Sequence, residues 1–168
     1  LTLTDVSATG TAFNGLVLLR SLTGTRVAVS GGTFTGGKTG LLFNDPLTAS
    51  AAVTLSHVVA EGGISWGLFF YTLADTTLTA TGCNFTGGDA GIRFYDGVAA
   101  GTTVRLTDVH AAGTASHGVR FSTAVSGAVV TATGGSMTGG LVGVTFQQTL
   151  DSSAAFTLSG VAVTGTAD

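Results

Sequence analysis

Three short segments of this chain carry the residues best suited to binding chemistry: Leu68-Phe69-Phe70-Tyr71, Ile92-Arg93-Phe94-Tyr95 and Val119-Arg120-Phe121-Ser122. A guanidinium binds carboxylates through paired, charge-assisted hydrogen bonds. Aromatic faces are flat and apolar, and sugar rings stack on them. Side chains alternate along a strand, so if Phe70, Phe94 and Phe121 point one way, their neighbours point the other. Phe69, Tyr71, Arg93, Tyr95 and Arg120 are therefore expected to form one continuous exposed ligand-binding patch, with Trp66 or His117 at its edge. Two arginines this close repel each other without an anion. A ligand carboxylate or Asp96 is the expected partner.

Catalysis has less to work with. Paired carboxylates for glycoside hydrolysis must stand about 5–9.5 Å apart. The nine acids are Asp5, Asp45, Glu61, Asp75, Asp89, Asp96, Asp108, Asp151 and Asp168. Asp45 and Asp96 share the position two after the strand Phe, and Thr72 separates them. Both stand in turn-forming segments, Asn44-Asp45-Pro46 and Tyr95-Asp96-Gly97, and read as turn residues. Asp5, His57 and Asp108 also share a position, but glycines intervene. Two strand spacings, about 10 Å, are too wide for one ion. No catalytic residue, metal or cofactor is assigned, and the chain reads as non-enzymatic.

The single cysteine, Cys83, forms no intrachain disulfide and occupies a small inward position, which suits a buried, inert thiol. A net charge of −3, with five arginines and one lysine spread along the chain, excludes a basic stripe for nucleic acid. No run of 18 apolar residues exists to cross a membrane as a helix.

What positions the arginine and aromatic segments is a repeat. Leu1, Val27, Val53, Leu78, Val104, Val130 and Phe156 recur every 25 or 26 residues. Each opens an alternating segment such as Leu78-Thr-Ala-Thr81. A glycine follows nine positions later, at Gly10, Gly36, Gly62, Gly87, Gly113, Gly139 and Gly165. A second glycine then opens a strand such as Gly91-Ile-Arg-Phe94 or Gly118-Val-Arg-Phe121. Further apolar positions follow at Leu22, Leu47, Leu73, Val98, Val125 and Leu150. A fixed period of this length means stacked identical units. Frequent Gly, Ser and Thr disfavour helices. Each unit therefore reads as one coil of short strands, each paired in parallel with its copy on the next coil.

The pattern from Leu78 to Phe94 (apolar-Thr-apolar-Thr, then Phe-Thr-Gly-Gly, then Gly-apolar-x-Phe) resembles the right-handed parallel β-helix of the pectin-lyase-like superfamily. The resemblance spans residues 1–168, one all-β solenoid domain of about six and a half coils of roughly 26 residues. It implies a right-handed fold, in keeping with the general hand of parallel crossovers. It implies no single activity, because that fold carries lyases, hydrolases, adhesins and stalks alike. Ser116-His117-Gly118 is similar to part of the polygalacturonase Gly-His-Gly segment, but its first glycine and the accompanying acidic pairs are missing.

Alternate units differ. Odd units read Asp5-Val6-Ser-Ala8, His57-Val58-Val-Ala60 and Asp108-Val109-His-Ala111. Even units read Gly31-Gly32-Thr-Phe34, Gly82-Cys83-Asn-Phe85 and Gly134-Gly135-Ser-Met137. The true repeat is thus a coil pair of about 52 residues, with large core residues over small ones so that layer volume stays constant. The Asp, His and Gly that begin these segments are residue types that tolerate positive φ at a tight corner. The outward Thr2/Thr4, Thr54/Ser56, Thr79/Thr81 and Thr131/Thr133 pairs form a lattice similar to the ice-binding face of β-solenoid antifreeze proteins, interrupted by Ala28 and Arg105.

The expectation is a secreted or cell-surface β-helix with a structural or adhesive role, binding a glycan or a neighbouring protein. The alternatives are a section of a carbohydrate-active enzyme whose site lies elsewhere, and an ice-binding solenoid. An uncapped solenoid is expected to continue into flanking chain or to associate end to end or laterally.

Overall fold

The computed structural model describes residues 1–166 and is a parallel β-solenoid with no helix among them. Three sheets run its length. The first holds seven strands, from Thr2–Thr4 through Thr76–Thr81 to Ala155–Ser159. The second also holds seven, from Ala8–Gly10 through Asn84–Gly87 to Ala162–Gly165. The third holds six, from Asn14–Leu18 through Ala90–Phe94 to Val142–Phe146. Every strand pairs in parallel with the equivalent strand one coil away, in the register the repeat predicts: Val53, Leu78 and Val104 align, as do Leu68, Ile92 and Val119. A fourth column of bridges joins Leu47, Leu73, Val98, Val125 and Leu150.

The core is built in layers. On the second sheet, Ala8, Phe34, Ala60, Phe85, Ala111 and Met137 stack in that order, so Phe34 and Phe85 each lie between alanines, and Met137 lies between Ala111 and Val163. On the third sheet, Phe43, Phe70, Phe94, Phe121 and Phe146 form a continuous stack with ring centroids 4.6–5.8 Å apart. Phe34, Phe70, Phe85 and Phe94 are fully buried, and so is Cys83. Burial pushes the Cys83 thiol above its usual pKa, which keeps it protonated and unreactive.

Two backbone constraints explain the glycines that punctuate each coil. The corner between the first and second sheets is left-handed in every coil, with φ of 51° at Asp5, 54° at His57, 50° at Asp108 and 67° at Gly31. Asp and His alternate with Gly there for a steric reason. A Cβ on Gly31 or Gly134 would run into the carboxylate of Asp5 or Asp108, and one on Gly82 would meet the His57 ring. The glycine that opens each third-sheet strand answers a different need. A Cβ on Gly67 would lie 2.6 Å from the backbone nitrogen of Thr86, because the second and third sheets touch at their narrow junction.

The alternating layers generate a test. Phe85→Ala leaves a void between Ala60 and Ala111 and is expected to cost about 3–5 kcal/mol in denaturant unfolding. Thr79→Ala, on the outward face of the first sheet, is expected to change stability by less than about 0.5 kcal/mol. Equal effects of the two would refute the layer account.

Candidate functional site

The third sheet's outward column runs Val17, Leu42, Phe69, Arg93, Arg120 and Thr145, since these residues are register partners on successive coils. Just past the strands, Asn44, Tyr71, Tyr95, Ser122 and Gln147 occupy equivalent places, each donating its backbone N–H to the strand-end carbonyl of the preceding coil. Alternation along the strand accounts for both columns. With Phe70, Phe94 and Phe121 turned into the core, the residues on either side must face out. The five residues singled out above thus lie on one face. Tyr71 and Tyr95 stand 5.6 Å apart between centroids, and Phe69 lies 5.8 Å from Tyr95.

Two expectations are corrected. Phe69 is not an exposed member of the patch: it is only 5% accessible. Trp66 stacks on it at 4.5 Å and Tyr95 closes the other side, so Phe69 forms the floor under an aromatic shelf. The partner of the arginines is not Asp96, which accepts a bond from Thr72 Oγ1 at 3.4 Å. It is Asp89, in the turn between Gly88 and Ala90. Asp89 Oδ2 receives Trp66 Nε1 at 3.2 Å and Arg120 Nη1 at 3.2 Å, and lies 3.7 Å from Arg93 Nη1.

The guanidinium groups are engaged on their other sides as well. Arg93 Nε donates to Ser122 Oγ at 3.1 Å, and its head lies 4.9 Å from both the Trp66 and Tyr95 ring centroids, between the two rings. Arg120 Nη2 donates to Gln147 Oε1 at 3.0 Å, while Arg120 Nε is buried with no partner among the described residues. Burial, and then the Arg120 charge, lower the Arg93 pKa, and Asp89 opposes the shift. Arginine stays protonated regardless. The cluster of two cations and one anion is therefore held mainly by contacts within the protein, with Arg120 Nε its unpartnered donor.

His117 lies at the edge of this cluster. It begins the strand His117–Phe121, is half-buried, and its Nδ1 shares a hydrogen bond with Thr145 Oγ1 at 3.0 Å. Burial first, then the Arg120 charge, hold its imidazole below the ordinary pKa, against the pull of Asp89.

The concave surface lies to one side of this cluster, toward the first coils. A cleft of about 460 Å³ has Leu42 and Phe69 in its lining, with Trp66, Tyr71 and Tyr95 contributing aromatic surface and Asn14, Lys38, Thr39, Asn44 and Phe13 completing it. Phe13 is 70% exposed and Tyr95 42%. Outward side chains on the first two coils are short, Val17 and Leu42, whereas Phe69, Arg93 and Arg120 on the next three are large; that step gives the cleft its depth. Lys38 makes no ion pair among the described residues. Sequence reasoning missed Asn14, Lys38 and Asp89. Lys38 and Asp89 precede the strand start in equivalent places on coils two and four, so extending the repeat register one residue would have put both beside the patch.

Four of the remaining acids are held at corners and turns. Asp5, Asp75 and Asp108 have positive φ, Asp75 accepts from Ser50 Oγ, and the Ser153 N–H and hydroxyl hold Asp151 below the usual carboxylate range. A second, shallower depression of about 280 Å³ over the glycine pairs contains one carboxylate, Glu61. Asp168 lies outside the described residues. Among the described residues no cluster of three metal-ligating side chains occurs, and no helix there is long and apolar enough to cross a membrane. On the first sheet Arg105 stands in register between Thr79 and Thr131, so the threonine lattice is broken near its centre.

Compared with known protein families, curated proteins and solved structures, the chain matches none.

Two outcomes follow from the Asp89 cluster. Arg93→Ala with Arg120→Ala is expected to lower unfolding stability by about 1–3 kcal/mol, because Asp89 then loses its charged partners; an unchanged melting temperature would contradict the structural role. In an NMR titration, the His117 midpoint is expected below that of an unstructured histidine and lower still in Asp89→Asn, since the favourable charge is gone. The neutral form is favoured only in the folded state, so His117 makes stability rise with pH from its folded midpoint up to the ordinary histidine value and adds no slope above it.

Proposed function

We propose that this chain is a non-enzymatic β-solenoid, structural and adhesive in role, that binds a glycan across the outward face of its third sheet. The observation that carries this reading is the cleft itself. Tyr71, Tyr95 and Trp66 form an aromatic shelf, and Asn14, Lys38 and Asn44 supply amide and ammonium donors beside it. Sugars need both kinds of surface, because a pyranose has an apolar face bounded by hydroxyls. The shelf is pre-organised: Trp66 is held by Asp89, and Arg93 is sandwiched between the Trp66 and Tyr95 rings. Little side-chain entropy remains to be lost when a ligand arrives.

A secreted or cell-surface setting, and kinship with the pectin-lyase-like superfamily, belong to the same proposal. Their support is the repeat pattern and the parallel solenoid, which suit a rod that displays a binding face away from its point of attachment. The non-enzymatic reading is supported by the occupations of the aspartates described above, which serve corners, turns or the Asp89 cluster, and by Glu61 being the one carboxylate in its depression.

Glycan-array binding of the purified chain tests the reading. Binding to at least one class of glycan is expected. Tyr71→Ala should weaken it about tenfold, as loss of one aromatic stacking surface predicts, and Thr79→Ala on the first sheet should leave it intact. A flat array, or equal loss from the two substitutions, would refute it.

A further inference from the structure

The column just past the third-sheet strands is an uncharged ladder with one side chain per coil: Asn44, Tyr71, Tyr95, Ser122 and Gln147. Resting on the glycan reading above, we infer that the ligand is an unbranched, uncharged, extended β-linked polysaccharide that lies along the solenoid axis, one sugar to each coil. Three observations carry this.

The first is spacing. Tyr71 and Tyr95 are 5.6 Å apart between ring centroids. Parallel strands lie about 4.8 Å apart, close to the length of one hexopyranose in an extended β-linked chain. A chain laid along the axis therefore meets an equivalent side chain at each ring, whereas a chain laid across the coils would meet the ladder only once.

The second is chemistry. The ladder has aromatic faces in the middle and amide or hydroxyl groups on both sides of them. That order suits stacking at the centre and hydroxyl hydrogen bonding toward the ends.

The third is charge. A chain with a carboxylate on every ring would need a free cation near every coil. The ladder itself has none. Arg93 and Arg120 are already bonded to Asp89, Ser122 and Gln147. Lys38 is one cation, to the side of the ladder on a single coil. A polyanion would find a single free ammonium for its row of carboxylates, and any guanidinium that turned to it would leave Asp89. An uncharged chain meets no such penalty, and Lys38 can donate to its hydroxyls.

The experiment is calorimetric titration of the whole chain with linear β-1,4-linked gluco-, manno- and N-acetylglucosamine oligomers of increasing length, with oligogalacturonate of matched length as the charged comparator. Affinity for at least one neutral series is expected to rise with length and level off at about five sugars, the number of coils in the ladder at one strand spacing each. Asn44→Ala and Gln147→Ala, at opposite ends, should each weaken the long oligomer about threefold or more and leave a disaccharide unaffected. Tyr95→Ala should cost about tenfold at every length, and Tyr95→Phe, which keeps the ring and the fold, should restore it. Preference for oligogalacturonate, or affinity independent of length, would overturn the inference and leave the glycan reading standing. Absence of binding to any saccharide, charged or neutral, would overturn both.

Discussion

Parallel pairing of each coil with the next is the interaction on which the structure depends. In the strands, backbone N–H and C=O groups find their partners one coil away, not within the coil. Adjacent coils must therefore keep the strand spacing everywhere at once, and no layer can be thicker than its neighbours. That requirement explains why Phe34, Phe85 and Met137 alternate with Ala8, Ala60 and Ala111. It also explains why Asp5, His57 and Asp108 take turns with glycines at the corner, where each side chain leans over a residue that has no Cβ.

The same stacking creates the chain's main electrostatic problem. Any residue type repeated in one column meets its copy one strand spacing away. For Phe that is favourable, and the rings stack from Phe43 to Phe146. For Arg93 and Arg120 it brings like charges together on a half-covered surface. Asp89 resolves this from a neighbouring turn, and its carboxylate also fixes the Trp66 indole. Charge on this face thus goes into architecture, while the aromatic rings beside it are left available to a ligand. A solenoid has three long faces, and here they diverge: threonine ladders on the first, small residues over glycine pairs on the second, and aromatics over a cleft on the third.

How much of this could be read in advance differs between fold and site. The fold was nearly all legible. Column membership, inward positions, the left-handed corners and the odd–even alternation follow from a period measured over the chain, and parallel pairing adds no freedom once the period is known. The site was legible in part. That Tyr71, Arg93, Tyr95 and Arg120 share a face follows from the period-2 alternation of strands. That Phe69 lies beneath the others, that Asp89 rather than Asp96 meets the arginines, and that the concavity opens toward Lys38 and Asn14 does not.

The division has a physical cause. Within strands, direction is set by backbone geometry, so residue order alone determined which face of the solenoid each of these side chains would join and which coil would contribute it. In turns, direction depends on the exact path of a few residues and on what long side chains reach. Asp89 and Asp96 lie on the same coil and carry the same side chain, and both are close in sequence to Arg93. Only the tertiary path of the turn places Asp89 under the Trp66 indole and the two guanidinium groups, while Asp96 faces Thr72. Only the packing of Trp66 and Tyr95 over Phe69 decides that an outward residue is nonetheless buried.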